Sequence, residues 1–369
     1  MPDLVRLHNP ALARKLVARV AARANLLAGR LGRRPFLMEV CGTHTAAISR
    51  SGIRSLLKET IELRSGPGCP VCVTAVQDLD AVIGLARLPG VTVATFGDLI
   101  RVPGSASSLE EERARGAGVR VIYSPTEAVD LARANPGEEV ILTGVGFETT
   151  TPLVALAITK AKQRRLRNFS VLSLHKQVPP ALRTLLSGPE PVADGLLLPG
   201  HVCAVTGRRV FDFIASKYGV PAVVTGFEPV DILGAVLILL DLLLRQEPVV
   251  VNGYTRVVRE DGNPLARELI QACFDYDRAL WRGLGPIPDS GLNLRHTYRN
   301  YDAALKFPLP TPPVRVREDC RCGDLLMGRI APPQCPLFAH ACTPVHPAGP
   351  CMVSTEGACS IYYQLERSC

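Results

Sequence analysis

Three groups of residues in this 369-residue chain have types and spacings that could do chemistry, and each is built on cysteine. The first is Met38-Glu39-Val40-Cys41-Gly42-Thr43-His44-Thr45. An apolar strand runs into Cys41, and Gly42 permits a sharp turn. If a helix starts at Thr43, Cys41 stands at its N-terminus, where a thiolate is stabilised and its pKa lowered. His44 returns to the same side three residues on and could be a neighbouring partner or a proton donor. A Cys near a His can equally be core, since free Cys is among the most buried residue types. The second group is Gly66-Pro67-Gly68-Cys69-Pro70-Val71-Cys72. Its Cys-x-x-Cys spacing brings two sulfurs within reach, for a redox disulfide or a soft metal. Half of a zinc site is the competing reading, but no second Cys-x-x-Cys or His pair lies at finger spacing.

The third group is the C-terminal set Cys320, Cys322, Cys335, Cys342, Cys351, Cys359 and Cys369. From Cys320 the order Cys-x14-Cys-x6-Cys-x16-Cys leads to Cys359, which is neither the bacterial ferredoxin run nor a zinc ribbon. Four thiolates are what a [4Fe–4S] cluster needs. Four-cysteine zinc is the structural alternative. Cys322 competes with Cys320 as a ligand, Cys351 is a nearby thiol, and the terminal Cys369 is set aside. Cys203 and Cys273 stand alone.

The elements that must hold these residues read as α/β. Asn9-Pro10 resembles an N-cap with Pro at the first helical position, opening an amphipathic helix to about Leu31. Short apolar runs then read as buried strands at Phe36–Val40, Val91–Phe96, Val119–Tyr123, Glu139–Leu142, Ser170–Leu174, Gly195–Leu198, Ala222–Thr225 and Val249–Val251. Helix-like segments separate many of them, which implies parallel layers. Val140-Ile141-Leu142-Thr143-Gly144-Val145-Gly146-Phe147-Glu148 is echoed by Ala222-Val223-Val224-Thr225-Gly226-Phe227-Glu228. The echo suggests two related units facing one cleft, with ligands at the carboxyl ends of strands. Asp98, Arg101, His175, His201, Glu148, Glu228 and Asp231 fall at strand ends or turns; each alone reads as a cap, and together they are cleft candidates. Pro308, Pro310, Pro312 and Pro313 mark an extended linker or wrapping segment. The Cys-, Pro- and Gly-rich segment beyond lacks the apolar surface to fold alone, so a metal cluster would supply the missing constraint.

Composition removes several classes. The first sixteen residues hold no apolar stretch followed by a small-residue cleavage site, so no secretory signal is expected. Twelve cysteines in such a chain point to reduced thiols in the cytoplasm and to metal or redox chemistry rather than a disulfide scaffold. The run Ile232 to Leu244 is too short to span a bilayer and contains Asp241, so it reads as a buried helix. The net charge of +8 is scattered. Its densest cluster, Lys160, Lys162, Arg164, Arg165 and Arg167, falls at a helix end where cations complement the dipole. No interleaved aromatics offer bases a stacking platform, so no nucleic-acid partner is expected. Gly144-Val145-Gly146 lacks the third glycine of a dinucleotide fingerprint, and no Gly-Lys-Ser/Thr occurs.

From Met38 to Tyr363 the chain resembles the hydrogenase maturation family HypD. The resemblance rests on Cys41-Gly42-Thr43-His44, Gly66 to Cys72, Thr143 to Thr150, Leu198-Pro199-Gly200-His201-Val202, Gly226-Phe227-Glu228-Pro229 and Gly349 to Cys359. It implies two α/β domains around a cleft, with a smaller domain carrying a [4Fe–4S] cluster. It implies help in building the Fe(CN)2CO group of [NiFe]-hydrogenases, with a small HypC-like chaperone and a HypE-like cyanide donor. Cys41 would bind the iron with a partner cysteine, His44 would sit beside it, and Cys69 and Cys72 would be the redox pair. Cys320 or Cys322, with Cys335, Cys342 and Cys359, would hold the cluster. The expected division is an N-terminal helix over 1–34 packed on the C-terminal domain, α/β domains over 35–135 and 136–255, and an iron–sulfur domain over 256–369. A stand-alone thiol–disulfide oxidoreductase and a zinc-stabilised binding module are the rival readings.

Overall fold

A computed structural model describes residues 10–189, 191–309 and 319–366. Asn9, Pro310, Pro312, Pro313 and Cys369 lie outside the described residues. The strands are β1 (Phe36–Glu39), β2 (Glu62–Ser65), β3 (Val91–Thr95), β4 (Gly118–Val121), β5 (Glu139–Gly144), β6 (Phe169–Ser173), β7 (Gly195–Pro199), β8 (Ala222–Thr225), β9 (Val250–Asn252), β10 (Phe274–Trp281) and β11 (Gly285–Leu294). The helices needed below are α1 (Pro10–Leu31), α2 (Gly42–Arg50), α3 (Thr151–Gln163), α4 (Pro229–Arg245) and α5 (Ala358–Leu365).

Two parallel sheets form the body, as the alternation of apolar runs and helices requires. One has the order β2-β1-β7-β8-β9 and the other β4-β3-β5-β6. Leu196, Leu197 and Leu198 of β7 are fully buried, because a central parallel strand is covered on both faces. The chain visits the sheets in turn. Segment 35–135 supplies β1 and β2 to one and β3 and β4 to the other, and segment 136–255 again contributes to both.

Strand order fixes where a site can form. In the five-stranded sheet the order reverses between β1 and β7, whose carboxyl ends lead to Cys41 and His201. In the four-stranded sheet it reverses between β3 and β5, which lead to Asp98 and to Phe147-Glu148. Such reversals leave a crevice between neighbouring connections.

Helix α1 buries Val20, Ala24 and Leu27, a stripe at helical spacing. Among the described residues it packs on α4 beside the five-stranded sheet rather than on the cysteine-rich segment. The apolar run 232–244 is the core of α4, and its Asp241 meets Arg23 of α1 at 3.0 Å. Strand β2 escapes the apolar pattern because it is an edge strand with alternating burial, Glu62 and Arg64 facing outward. The antiparallel β10–β11 hairpin also escapes it, since Tyr276, Asp277 and Arg278 are exposed and Pro286 and Pro288 interrupt it. The hairpin bridges Thr74 through Trp281 and Lys176 through Gly291, so it ties together loops of both sheets. No helix among the described residues is long and apolar enough to cross a membrane.

Candidate functional site

Strand β1 is paired on both sides, with β2 and β7, and delivers Cys41 to the crevice as the N-cap of α2. The turn is held by backbone contact: the Gly42 N–H donates to the Gly68 carbonyl at 3.0 Å. A Cβ on Gly68 would fall 2.3 Å from the backbone of Cys41, so only glycine allows this approach. The two early cysteine motifs are therefore stacked on each other. Cys69 and Cys72 are joined as a disulfide, and the Cys72 N–H points at Cys69 Sγ at 3.1 Å.

Cys41 is 8% exposed. Its thiol pKa is pushed up to about 11, first by burial and then by Glu356. The backbone N–H groups of His44 and Thr43 act in the opposite direction and do not win. The lowered pKa expected from the helix N-terminus is thus reversed by desolvation. A thiol kept neutral in this way suits a site where a metal ion, rather than a fixed positive charge, draws off the proton.

His44 is fully buried, and its ring lies against Phe227 with centroids 4.7 Å apart. Its Nε2 is 3.1 Å from the Gly226 carbonyl. A carbonyl only accepts, which assigns the proton to Nε2. Burial holds the imidazole neutral, with its pKa lowered to about 4. Nδ1 therefore carries a lone pair, with no partner among the described residues. His44 is placed as an acceptor rather than as the proton donor considered from sequence. His201 stacks on the other part of this aromatic group, 3.9 Å from Phe227. The echoed Gly226-Phe227 turn thus serves the first cysteine motif.

The cysteine-rich tail closes the site, a feature the motif spacing did not disclose. Thr43 Oγ1 donates to Glu356 Oε1 at 2.8 Å, and a Cβ on Gly42 would lie 2.2 Å from the Glu356 carbonyl. Ser354 Oγ lies 3.5 Å from Cys69 Sγ and donates to Asp98 Oδ2 at 3.0 Å. The Thr355 N–H and hydroxyl donate to the same Asp98 oxygen. The only sequence signal for this strap was the Ser-Thr-Glu run between Cys351 and Cys359. Asp98 belongs to the strap contact, and Arg101 reaches the tail at the Pro344 carbonyl.

Cys320, Cys322, Cys335, Cys342, Cys351 and Cys359 line one small cavity of about 20 Å3. Its other walls include Leu325, Leu337, Phe338 and Met352, and among the described residues no carboxylate or imidazole faces it. This all-sulfur donor set fits a soft metal or an iron–sulfur group. Among the described residues no three of these groups converge as they would on a single bound ion. Arg282 Nε donates to Cys322 Sγ at 3.2 Å, while the Arg282 N–H donates to the Val73 carbonyl at 2.8 Å. One residue therefore spans from beside Cys72 to the tail thiols. Cys322 is drawn down by the thiol of Cys320 and then by Arg282; Cys320 is pushed up by the same contact. Burial raises Cys351 to about 12 and pushes Cys359 well above the ordinary thiol range.

The other candidates separate. His175, held neutral by burial, donates from Nδ1 to Ser173 Oγ at 3.1 Å, since that hydroxyl is itself committed to the Leu292 carbonyl. It meets Phe274 edge-on beside the hairpin. Asp231 pairs with Arg256, and Glu228 occupies the N-cap position of α4. Glu148 is buried at a separate groove with Gln177 and Tyr276. Cys203 and Cys273 are core thiols.

A family model described as "HypD: Hydrogenase formation hypA family" matches residues 11–366. The chain is 44% identical over 361 residues to the hydrogenase maturation factor HypD of Rhodobacter capsulatus, covering 96% of each. It is 43% identical over 364 residues to the factor of that name from Azotobacter vinelandii, covering 97% of this chain and 95% of the relative. Against the one from Escherichia coli K12 the identity is 42% over 361 residues, covering 97% and 96%.

Proposed function

This chain belongs to the HypD family of hydrogenase maturation factors, and from that premise we propose that it is the scaffold and redox centre on which the Fe(CN)2CO group is assembled. The iron unit is the cargo. Cys41 is its ligand from this chain, sharing it with a cysteine of a HypC-like chaperone, and a HypE-like protein donates the cyanide. A single thiolate from the scaffold suits iron that must later leave, whereas a closed four-ligand cage would retain it. Thiolates also favour low-spin iron carrying cyanide and CO. The neutral His44, with its Nδ1 lone pair in the same turn, accepts a hydrogen bond beside the iron.

Cys69 and Cys72 are the two-electron partner. Reduction of their disulfide takes up two electrons and two protons, and re-formation returns both. The six tail thiols supply the ligands of a [4Fe–4S] cluster, drawn from Cys320 or Cys322 with Cys335, Cys342 and Cys359. Such a cluster supplies one-electron redox chemistry. Arg282 and the strap at Ser354–Glu356 fix the tail thiols against the disulfide.

The observation that carries this reading is the strap. It brings Ser354 to Cys69 across 285 residues of sequence and Glu356 to the Cys41 turn, so the cysteine groups act as one site. A stand-alone oxidoreductase would leave Cys41 and the tail thiols without a part. The test is Cys41→Ala in a host whose [NiFe]-hydrogenase depends on this protein. Hydrogenase maturation should be abolished while the protein still folds and still carries tail iron with labile sulfide. Normal maturation would reject the role of Cys41. Zinc alone in anaerobically purified protein would reject the cluster.

A further inference from the structure

We propose that a basic groove at the amino-terminal edge of the four-stranded sheet docks an acidic peptide segment of a partner protein. The groove has a volume of about 720 Å3 and is lined by Lys162, Arg165, Arg167, Arg299 and Lys306. It lies between the end of α3, the turn into β6 and the 3-10 turn at 296–301. Lys306 bonds to Glu139, the first residue of β5, and to the carbonyl of Arg167, just before β6. The groove therefore sits at the opposite end of these strands from the crevice served by Asp98 and Phe147. Nothing in the proposed iron chemistry uses it.

Three observations point to a carboxylate-bearing partner. First, among the described residues the guanidiniums of Arg165, Arg167 and Arg299 are exposed and have no bonded partner, and no carboxylate lines the groove. Nearby acids are already taken, Glu139 by Lys306 and Asp130 by Arg164. Second, Arg165 has φ 54°, in the left-handed region. It follows the end of α3, where the Leu166 N–H turns back to the Ala161 carbonyl. Glycine is the low-strain residue at such a helix end, yet this one holds an arginine that faces the groove. Third, guanidiniums match carboxylates in a two-point geometry. Nucleic acid fits less well: Tyr301 packs its ring with buried Phe169, and no stack of free aromatic faces lies along the groove.

The experiment uses the full chain and a fluorescent hexaglutamate peptide as probe. Binding is expected, and it should weaken as salt screens exposed charges. The triple variant Arg165→Glu, Arg167→Glu, Arg299→Glu should lose about tenfold or more in affinity, given the modest energy of each exposed pair. A control of equal charge change, Arg113→Glu, Arg120→Glu, Arg133→Glu, should bind like the parent. Arg165→Gly should weaken binding while melting no lower than the parent, which separates docking from folding. Equal loss in the control triple would overturn the proposal by showing only net charge. Failure to bind the peptide would overturn it as well. So would tighter binding, through the same three arginines, of a single-stranded oligonucleotide of the same charge or of inorganic phosphate.

Discussion

At Glu148 one carboxylate oxygen accepts from the Val178 N–H at 2.9 Å, and the other has no partner among the described residues. Burial pushes its pKa from 4.5 up to about 7. Below about pH 4.5 the group is neutral in both folded and unfolded chains. As pH rises from there to about 7 the unfolded chain gives up this proton while the folded chain keeps it. Stability therefore falls across that window, by on the order of 3 kcal/mol from this group. Glu148→Gln keeps the acceptor for Val178 and removes the titration. Urea unfolding between about pH 5 and about pH 8 should show the variant gaining on the parent as pH rises; parallel curves would refute the assignment. Sequence placed Glu148 at a strand end, but burial is a property of the assembled fold. The same gap explains Cys41, whose helix N-terminus was legible while the desolvation that reverses its pKa was not.

Among the elements, the strap at 354–356 connects distant parts of the sequence. Asp98 Oδ2 accepts from Ser354 Oγ, Thr355 Oγ1 and the Thr355 N–H, so one side chain anchors its first two residues, while Thr43 holds Glu356. Hydrogen bonds to a charged acceptor contribute roughly 1.5–3 kcal/mol each. Asp98→Ala should free the strap and open the Cys69–Cys72 disulfide, since Ser354 is the strap residue against Cys69. Reduction by a phosphine, followed by alkylation and mass analysis, should run about fivefold faster or more, an opening energy of about 1 kcal/mol. An unchanged rate would mean that the strap does not gate the disulfide. Elements with strong periodicity were legible: the eight apolar runs are strands, and the run 232–244 is a buried helix. Strand β2 and the β10–β11 hairpin were not, because edge strands and exposed ribbons carry mixed polarity. The strap has no periodicity, and its Ser-Thr-Glu run does not disclose its partners, since its order comes from side-chain bonds to residues more than 250 positions away.

For the whole molecule, parallel α/β architecture was legible, and the sharing of strands between the two sheets was not. Apolar runs do not say which neighbour they pair with, so a division at about 135 could not reveal that β3 joins β5. The expected docking of the N-terminal helix failed for a similar reason, because its stripe fits any apolar face and α4 provides the nearest one. Among the described residues the tail is tied to the body by Arg282 at Cys322, Arg101 at the Pro344 carbonyl, Arg64 at the Gly328 and Arg329 carbonyls, the strap, and Arg54. The Arg54 guanidinium pairs with buried Glu39 at 2.8 Å and lies 4.9 Å over the ring of Tyr362 in α5. Its own apolar cluster is small, built on Leu337, Phe338, Met352 and Tyr362. If a cluster occupies the six-thiol cavity, its removal takes away the main internal constraint on 319–366, while the sheets keep their cores. Anaerobic extraction of the iron should therefore raise amide exchange across 319–366 and leave β5 and β7 protected. Because the strap leads from this segment to Cys69, phosphine reduction of the Cys69–Cys72 disulfide should also speed up in the extracted protein. Exchange that stays unchanged in the tail would mean that the thiols, and not bound iron, hold this segment together.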